Sequence, residues 1–256
     1  MSLKPPDEIE KLLKELSLRG MRLEFAACLI NAEQENWGYR RFLARLLEIE
    51  AAGRLSRRVE RLLTDSDLPE EFTLQRIDPQ KYPEKPRRML PTLLTGDFVK
   101  RGDNLICFGL PGRGKTHYCC AIARQLVRQH QMKVMFTPGF RLVSQLLLAK
   151  AGHTLPKYLD QLAKYDLIVC DDIGYVQHTS DEMEVLFTFI AERYQQHRSL
   201  ALTSNLVFSQ WDRIFKNPMT AMAAVDRLSH RGIVVEFETD DSIRHLQGRS
   251  LNQAHP

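Results

Sequence analysis

The sequence predicts an α/β fold in which a parallel sheet carries helices on both faces and follows a small all-α N-terminal domain. One observation is that short apolar runs alternate with amphipathic segments from residue 104 onward. Another is the stretch GLPGRGKTH, residues 109–117, which connects one apolar run to the next helical segment. The third is that, before residue 66, apolar side chains recur every three or four positions, as they do in amphipathic helices.

The N-terminal part is predicted to contain three helices. The apolar positions indicate helices over about residues 9–16, 21–30 and 39–63. Ser17–Gly20 and Asn36–Gly38 interrupt the pattern and are expected to be the turns between these helices. We therefore expect residues 1–66 to form a helical domain.

A change of composition separates this domain from the rest of the chain. Residues 67–100 contain five prolines, and proline-rich segments favour extended, semi-rigid connections. We expect 67–100 to be a linker that lies against an α/β domain formed by residues 101–256.

The predicted strands of the C-terminal domain are apolar on both faces, which is typical of a parallel sheet buried between helices. Helices are expected to begin near Lys115, Phe140, Asp181 and Thr220, between successive strands. The sequences of the predicted strands are NLICFG, KVMFT, DLIVCDD, SLALTSN and GIVVEFE.

Bulk composition is that of an ordinary globular protein, with 256 residues, 43% hydrophobic residues and a net charge of +4. This weakly basic balance permits an acidic partner such as nucleic acid but does not require one. The five cysteines form no C-x-x-C pair, which argues against a disulfide or zinc framework and predicts a reducing, cytoplasmic location. The charged N-terminus and the lack of long apolar runs predict neither a signal peptide nor a membrane span.

The stretch GLPGRGKTH matches the P-loop pattern G-x-x-x-x-G-K-[ST]. In such a loop, backbone N–H groups and the start of the following helix bind the phosphates of a nucleotide. Lys115 is expected to reach the β- and γ-phosphates of ATP, and Thr116 to ligate Mg²⁺. The residues predicted to bind the nucleotide are Gly109, Pro111, Gly112, Arg113, Gly114, Lys115, Thr116 and His117.

Polar residues follow two further apolar runs. Asp171 and Asp172 come at the carboxyl end of a predicted buried strand, where open sheets bind their ligands. Asp171 is expected to hold Mg²⁺ through water, and Asp172 to orient or deprotonate the attacking water. Asn205 ends the next run and is expected to contact that water or the γ-phosphate.

Arg227 lies in a predicted helix beyond Asn205 and completes the set of predicted catalytic residues. An arginine in this place can reach the γ-phosphate of a neighbouring subunit, which predicts a homo-oligomer. A surface ion pair is an equally good interpretation of the same residue, and Arg231 is a second candidate for the same role.

A basic stripe is predicted on the third helix. Between Trp37 and Leu63 there are seven arginines and three glutamates. Four of the arginines recur at i, i+3, i+4 and i+7, so they share one helix face and suit contact with DNA phosphates. A solvated face or a subunit contact is the alternative, and no base-reading motif is present, so DNA binding is expected to be largely independent of sequence. These arginines are Arg54, Arg57, Arg58 and Arg61.

The P-loop, DDIGY, TSN and DRLSH occur in an order that resembles the AAA+ ATPases of the helicase-loader branch, and within that branch the IstB family. The N-terminal stretches LKELSLRGMRLEFAACL and FLARLLEIEAAGRLSRRVERLL are similar to that family as well, as are SNLVFSQWDRIF and GIVVEFE. The resemblance covers about residues 10–245.

This resemblance implies an ATP-dependent, DNA-binding protein that oligomerises, remodels double-stranded DNA and recruits or activates a transposase. A replicative helicase loader similar to DnaC is the alternative, and a small-molecule kinase built on the same P-loop is a more distant one. Two departures from the family pattern concern the site. Asp172 stands where the family often has Glu, and Ser242-Ile243-Arg244 stands where it often has Ser-aromatic-Arg, so Arg244 is a candidate for a second sensor.

Overall fold

A computed structural model describes residues 6–78, 80, 82–174, 179–215 and 217–237. Contacts divide the chain, over its described residues, into two compact units, Met1–Arg61 and Leu62–Pro256. The division falls inside a long helix, and the predicted domain limits at residues 66 and 100 stay a prediction.

Helices form the N-terminal unit, as predicted: α1 (Pro6–Glu15), α2 (Arg19–Gln34) and most of α3 (Tyr39–Thr64). Phe25 of α2 and Phe42 of α3 meet edge to face, with their ring centroids 6.0 Å apart. These rings border a small buried cluster, and packing of this kind supplies most of the stability of short helices. The buried members of the cluster are Met21, Cys28 and Leu46.

Glu50 of α3 caps the start of α2. Its Oε2 accepts hydrogen bonds from the backbone N–H of Gly20, at 2.6 Å, and of Met21, at 3.2 Å. The first N–H groups of a helix have no partner within the helix, and α2 has no side-chain cap of its own. The buried carboxylate of Glu50 therefore satisfies two donors that would otherwise be unpaired.

The described part of the C-terminal unit contains a five-stranded parallel sheet with the strand order β2-β3-β4-β1-β5. The alternation of strands and helices that predicted this sheet is thereby confirmed. Strands β1, β3 and β4 are almost entirely buried, since helices cover both faces of the sheet. The strands are β1 (Asn104–Phe108), β2 (Val134–Pro138), β3 (Leu167–Asp171), β4 (Ser199–Ser204) and β5 (Gly232–Glu236).

Each face of the sheet has its own set of helices. Cys107 of β1 packs with α4, α5 and α6, whereas its neighbour Ile106 packs with α7 to α11. No helix in the described part of the chain is both long and apolar enough to span a bilayer. The helices are α4 (Glu84–Leu94), α5 (Asp97–Arg101), α6 (Lys115–His130), α7 (Gly139–Ala151), α8 (Leu155–Leu162), α9 (Ser180–Gln195), α10 (Asp212–Phe215) and α11 (Pro218–His230).

The predicted linker is more structured than its proline content suggests, because it contains α4 and α5. Pro86 lies in the first turn of α4, where a missing N–H costs nothing, and Pro91 lies near its end. Helix α8 was not predicted either, because it is short and begins with a Leu-Pro pair. The prolines at the starts of α4 and α8 therefore explain much of why these two helices were not predicted from the sequence.

The segment before α4 is held against α6. Arg124 of α6 is buried, and its guanidinium donates hydrogen bonds to the carbonyls of Leu68, Pro69 and Phe72 at 3.1, 2.8 and 3.3 Å. Three carbonyl acceptors compensate for the burial of this charged side chain. The P-loop helix and this segment thus form one packed layer.

Candidate nucleotide-binding site

The loop GLPGRGKTH lies between the end of β1 and the start of α6. Gly114, with φ 84°, is the residue that precedes α6, and Gly109 has φ 143°. A Cβ at Gly109 would lie 2.7 Å from the carbonyl oxygen of Phe237. Both positions therefore require glycine, and the loop turns its backbone toward the N-terminus of α6, where anions bind.

Lys115 folds back over this loop and is buried. Its Nζ donates hydrogen bonds to the carbonyl oxygens of Gly109, at 2.7 Å, and Leu110, at 3.0 Å, and to Oδ1 of Asn205, at 2.8 Å. The parallel sheet brings Asn205 here, since β4 lies beside β1 and both strands end at the same edge. The structure thus joins two of the predicted catalytic residues.

Thr116 and Asp171 also meet, as the sequence predicts for a shared metal site. The hydroxyl of Thr116 donates to Oδ1 of Asp171 at 2.7 Å. Hydroxyl and carboxylate oxygens are ligands that suit Mg²⁺, which in nucleotide sites takes its remaining ligands from phosphate and water. No group of three or more His, Cys, Asp or Glu that could hold a metal by itself exists among the described residues. The donor set therefore fits Mg²⁺ bound together with a nucleotide.

Asp172 follows β3 in a left-handed backbone conformation, with φ 56°, which costs a residue other than glycine about 1–2 kcal/mol. Its carboxylate accepts a hydrogen bond from Nδ2 of Asn205 at 3.3 Å. Burial raises the pKa of this carboxyl, and the charge of Asp171 raises it further, while Lys115 opposes the rise. A carboxylate with a raised pKa is a stronger proton acceptor, which suits the predicted role of Asp172.

The remaining predicted residues of the loop differ in exposure. Pro111 is exposed, Gly112 is half-buried and Arg113 is buried. His117 turns away from the loop, and its Nε2 lies 2.9 Å from the carbonyl oxygen of Thr73. A carbonyl can only accept, so Nε2 carries the proton in neutral His117.

Several residues at the site were not predicted from the sequence. Phe72 stacks on His117 with ring centroids 5.1 Å apart, and Tyr82 donates a hydrogen bond to the carbonyl of Gly114 at 3.3 Å. Both come from the predicted linker, where nothing in the sequence indicated contact with the loop. Thr203 accepts a hydrogen bond from the backbone N–H of Asp172 at 2.8 Å. It lies in β4 two positions before Asn205, which directly follows the strand.

The proposed arginine finger lies outside the hydrogen-bond network around Lys115, as far as the described residues show. Arg227 donates a hydrogen bond to the carbonyl of Ala223 at 2.9 Å and lies 4.9 Å from the ring centroid of Phe187. Arg231, the second candidate, contacts Nδ1 of His197 at 2.6 Å. Action on a neighbour's nucleotide stays a prediction for both, and Arg244 lies outside the described residues.

The basic stripe on α3 is split by an ion pair. Arg54 donates to Oε1 of Glu50 at 2.7 Å, and Arg57 approaches the same oxygen at 3.4 Å. Burial raises the pKa of Glu50, but Arg54 and the capped N–H groups outweigh it and lower the pKa, so Glu50 is charged. Arg58 and Arg61 make no ion pair within the part of the chain that the structure describes. We therefore expect Arg58 and Arg61 to be the more available half of the stripe.

Comparison with known proteins adds a family. A sequence profile described as IstB-like ATP binding protein matches residues 11–251, which confirms the resemblance predicted from the motifs. A Sinorhizobium fredii protein named as an insertion sequence ATP-binding protein is 34% identical over 230 residues, 90% of this chain and 76% of that protein. A Pseudomonas aeruginosa protein named as the ATP-binding protein of insertion sequence IS21 is 32% identical over 231 residues, 90% of this chain and 86% of that protein.

Solved structures share the fold. The DnaC helicase loader superposes with a TM-score of 0.54 at 16% identity, over 70% of this chain and 99% of that chain. AMPPCP-bound DnaA from Aquifex aeolicus superposes with a TM-score of 0.56 at 17% identity, over 73% of this chain and 57% of that chain. At this identity the likeness shows the fold, and the predicted P-loop AAA+ sheet is confirmed.

Proposed function

Because the chain belongs to the IstB-like ATP-binding protein family, we propose that it hydrolyses ATP, assembles on double-stranded DNA and assists a transposase. The observation that carries this proposal is the convergence of side chains at one edge of the sheet. Asn205 bonds to both Lys115 and Asp172, and Thr116 bonds to Asp171. The hydroxyl of Thr203 joins these two groups into one network. A site that only bound nucleotide would have no need for a proton acceptor beside Lys115.

The residues divide the work of hydrolysis between them. Lys115 neutralises charge on the β- and γ-phosphates, and Thr116 and Asp171 hold Mg²⁺, which neutralises phosphate charge as well when bound. Asp172 accepts a proton from the attacking water at its carboxylate, and Asn205, which bonds to that carboxylate, helps to orient the water. The contact between the Asp172 carboxylate and Asn205 supports this assignment.

Assembly is proposed to complete the site. Arg227 of one subunit acts on the nucleotide of its neighbour, so that hydrolysis depends on oligomer formation. Residues 101–256 are the ATPase domain in this proposal, residues 67–100 connect it, and the helical domain of residues 1–66 contacts DNA phosphates.

Replacing Arg58 and Arg61 together by glutamine is expected to weaken DNA binding and to flatten its salt dependence. Each lost phosphate contact lowers the slope of log K against log salt by about 0.9, so the double variant loses about 1.8. Fluorescence anisotropy with a labelled duplex at several salt concentrations, with a non-hydrolysable ATP analogue present, measures this slope.

Two double variants serve as controls for that measurement. Lys11→Gln with Lys14→Gln removes the same charge from exposed positions on α1 and should leave the slope unchanged. Arg54→Gln with Arg57→Gln should have the smaller effect on DNA and should lower the stability of the N-terminal unit, since it removes the cations that face Glu50. An unchanged slope for the Arg58 and Arg61 variant, together with altered assembly, would assign this stripe to protein contacts.

The partner is proposed to be a transposase, because the two relatives above are named for insertion sequences. The DnaC helicase loader shares only the fold with this chain. Because that protein is named as a helicase loader, a helicase is the alternative partner. We expect the ATP-bound protein to bind a purified insertion-sequence transposase from the same cell and not the replicative helicase of that cell. Biolayer interferometry with each partner immobilised in turn measures which of the two is bound. Binding to the helicase alone would contradict the transposase proposal and favour the loader alternative.

A further inference from the structure

We propose that the hydroxyl of Thr203 is a positioning group that sets both acidic residues of the site, Asp171 and Asp172, for Mg²⁺-nucleotide binding and hydrolysis. The inference rests on the proposed ATP hydrolysis and adds a residue that neither touches phosphate nor belongs to the P-loop. Thr203 lies near the end of β4 and is buried, with 1% of its surface exposed.

The hydroxyl of Thr203 makes two hydrogen bonds of opposite direction. It accepts from the backbone N–H of Asp172 at 2.8 Å and lies 2.6 Å from Oδ1 of Asp171. A hydroxyl has a single proton, and the carboxylate can only accept. The Thr203 proton is therefore directed at Asp171, and both bonds are formed only in this one orientation of the hydroxyl.

The consequence for Asp171 is a fixed carboxylate. Its Oδ1 accepts from the hydroxyls of both Thr203 and Thr116, at 2.6 and 2.7 Å. These donors come from different elements, β4 and α6, and together they restrict rotation of the carboxylate. Hydrogen-bond partners that orient a metal-binding carboxylate contribute to metal affinity even though they do not touch the metal.

The consequence for Asp172 is a fixed backbone. The left-handed backbone conformation of Asp172 is unfavourable by itself, and two hydrogen bonds to Thr203 stabilise it. The Thr203 hydroxyl accepts from the N–H of Asp172, and the Thr203 carbonyl accepts from the N–H of Ile173 at 3.1 Å. This conformation places the Asp172 carboxylate against Asn205. One residue of β4 thus orients both Asp171, the last residue of β3, and Asp172, which follows it.

The alternative is that Thr203 only fills space in the core, and the variant Thr203→Val separates the two roles. Valine keeps the shape of threonine but lacks the hydroxyl, whereas Thr203→Ser keeps the hydroxyl and lacks the methyl group. A matched control is Thr137→Val, because Thr137 is also buried near the end of a strand, β2. Among the described residues its hydroxyl bonds only to the neighbouring Pro138 carbonyl, at 3.3 Å. All variants are made in the full chain.

Two measurements test the proposal. The first is the affinity for a fluorescent ATP analogue, determined once with Mg²⁺ and once with EDTA. The ratio of these two affinities reports how well the metal is positioned and requires no turnover. The second is the steady-state hydrolysis of ATP, which gives kcat and KM. We expect Thr203→Val to reduce this ratio by about 10-fold and the kcat for ATP by about 10–100-fold, with a smaller change in KM. Thr203→Ser and Thr137→Val are expected to stay close to the unmodified protein in both measurements.

The proposal is overturned if Thr203→Val matches Thr137→Val, or if Thr203→Ser is as impaired as Thr203→Val. If valine prevents folding, as thermal unfolding would reveal, Thr203→Ala takes its place, because it removes the hydroxyl without placing a methyl group against Asp171. Failure of the proposed function has a different signature. If the unmodified protein binds ATP but does not hydrolyse it in the presence of DNA, the proposed hydrolysis is wrong. The ratio of the affinities with Mg²⁺ and with EDTA still tests the role of Thr203 in that case.

Discussion

Replacing Lys115 by alanine is expected to lower the affinity for ATP, to slow hydrolysis by about 10²–10³ and to abolish nucleotide-dependent assembly. The ammonium group of Lys115 contacts two loop carbonyls and Asn205, and it is the cation proposed to face the phosphates. Removing one preorganised charged donor from such a site costs about 10²–10³ in rate. Titration with a fluorescent ATP analogue, phosphate release and sedimentation velocity with and without nucleotide measure the three effects.

The matched control is Lys164→Ala, which removes one exposed lysine from the same unit and should leave all three measurements unchanged. Circular dichroism verifies that the Lys115 variant is folded, because the buried lysine also holds the loop together. If Lys115→Ala still assembles in response to ATP, the P-loop does not control assembly and the proposed nucleotide switch is wrong.

Replacing Arg227 by alanine is expected to leave ATP binding intact while hydrolysis falls by about 10³–10⁵. The reason is that an arginine finger neutralises charge that develops only during phosphoryl transfer. Within its own chain, Arg227 lies over Phe187 and bonds to a helix carbonyl, away from the network around Lys115. Its effect on rate should therefore come from a neighbouring subunit.

Mixing two inactive variants tests that arrangement directly. Arg227→Ala supplies an intact Asp172, and Asp172→Asn supplies an intact Arg227, so mixed oligomers contain interfaces with both groups. We expect partial recovery of hydrolysis on mixing and none for either variant alone. Arg231→Ala is the control, and loss of activity in that variant but not in Arg227→Ala would move the role to Arg231. Absence of recovery on mixing would contradict action between subunits.

Much of the nucleotide site could be predicted because its parts are local. The P-loop pattern is contiguous, so its glycines and Lys115 can be assigned to a phosphate-binding loop without knowledge of the rest of the fold. Asp171, Asp172 and Asn205 could be predicted for a different reason. They end apolar runs, and the parallel sheet that those runs form brings its carboxyl ends to one edge. Periodicity and order along the chain were therefore sufficient for the fold and for the main residues of the site.

The sequence alone determined the class of the sheet, the P-loop and the family, since each is written in short patterns or in their order. Only the tertiary structure decided which long-range partners these residues take. Glu50 of α3 caps α2, whose own sequence supplies no side-chain cap, and is therefore buried. In this position it forms ion pairs with Arg54 and Arg57, which separates these two arginines from the rest of the basic stripe. Thr203 reaches Asp172 across 31 positions, and such a contact depends on how β3 and β4 lie side by side, which no local pattern encodes.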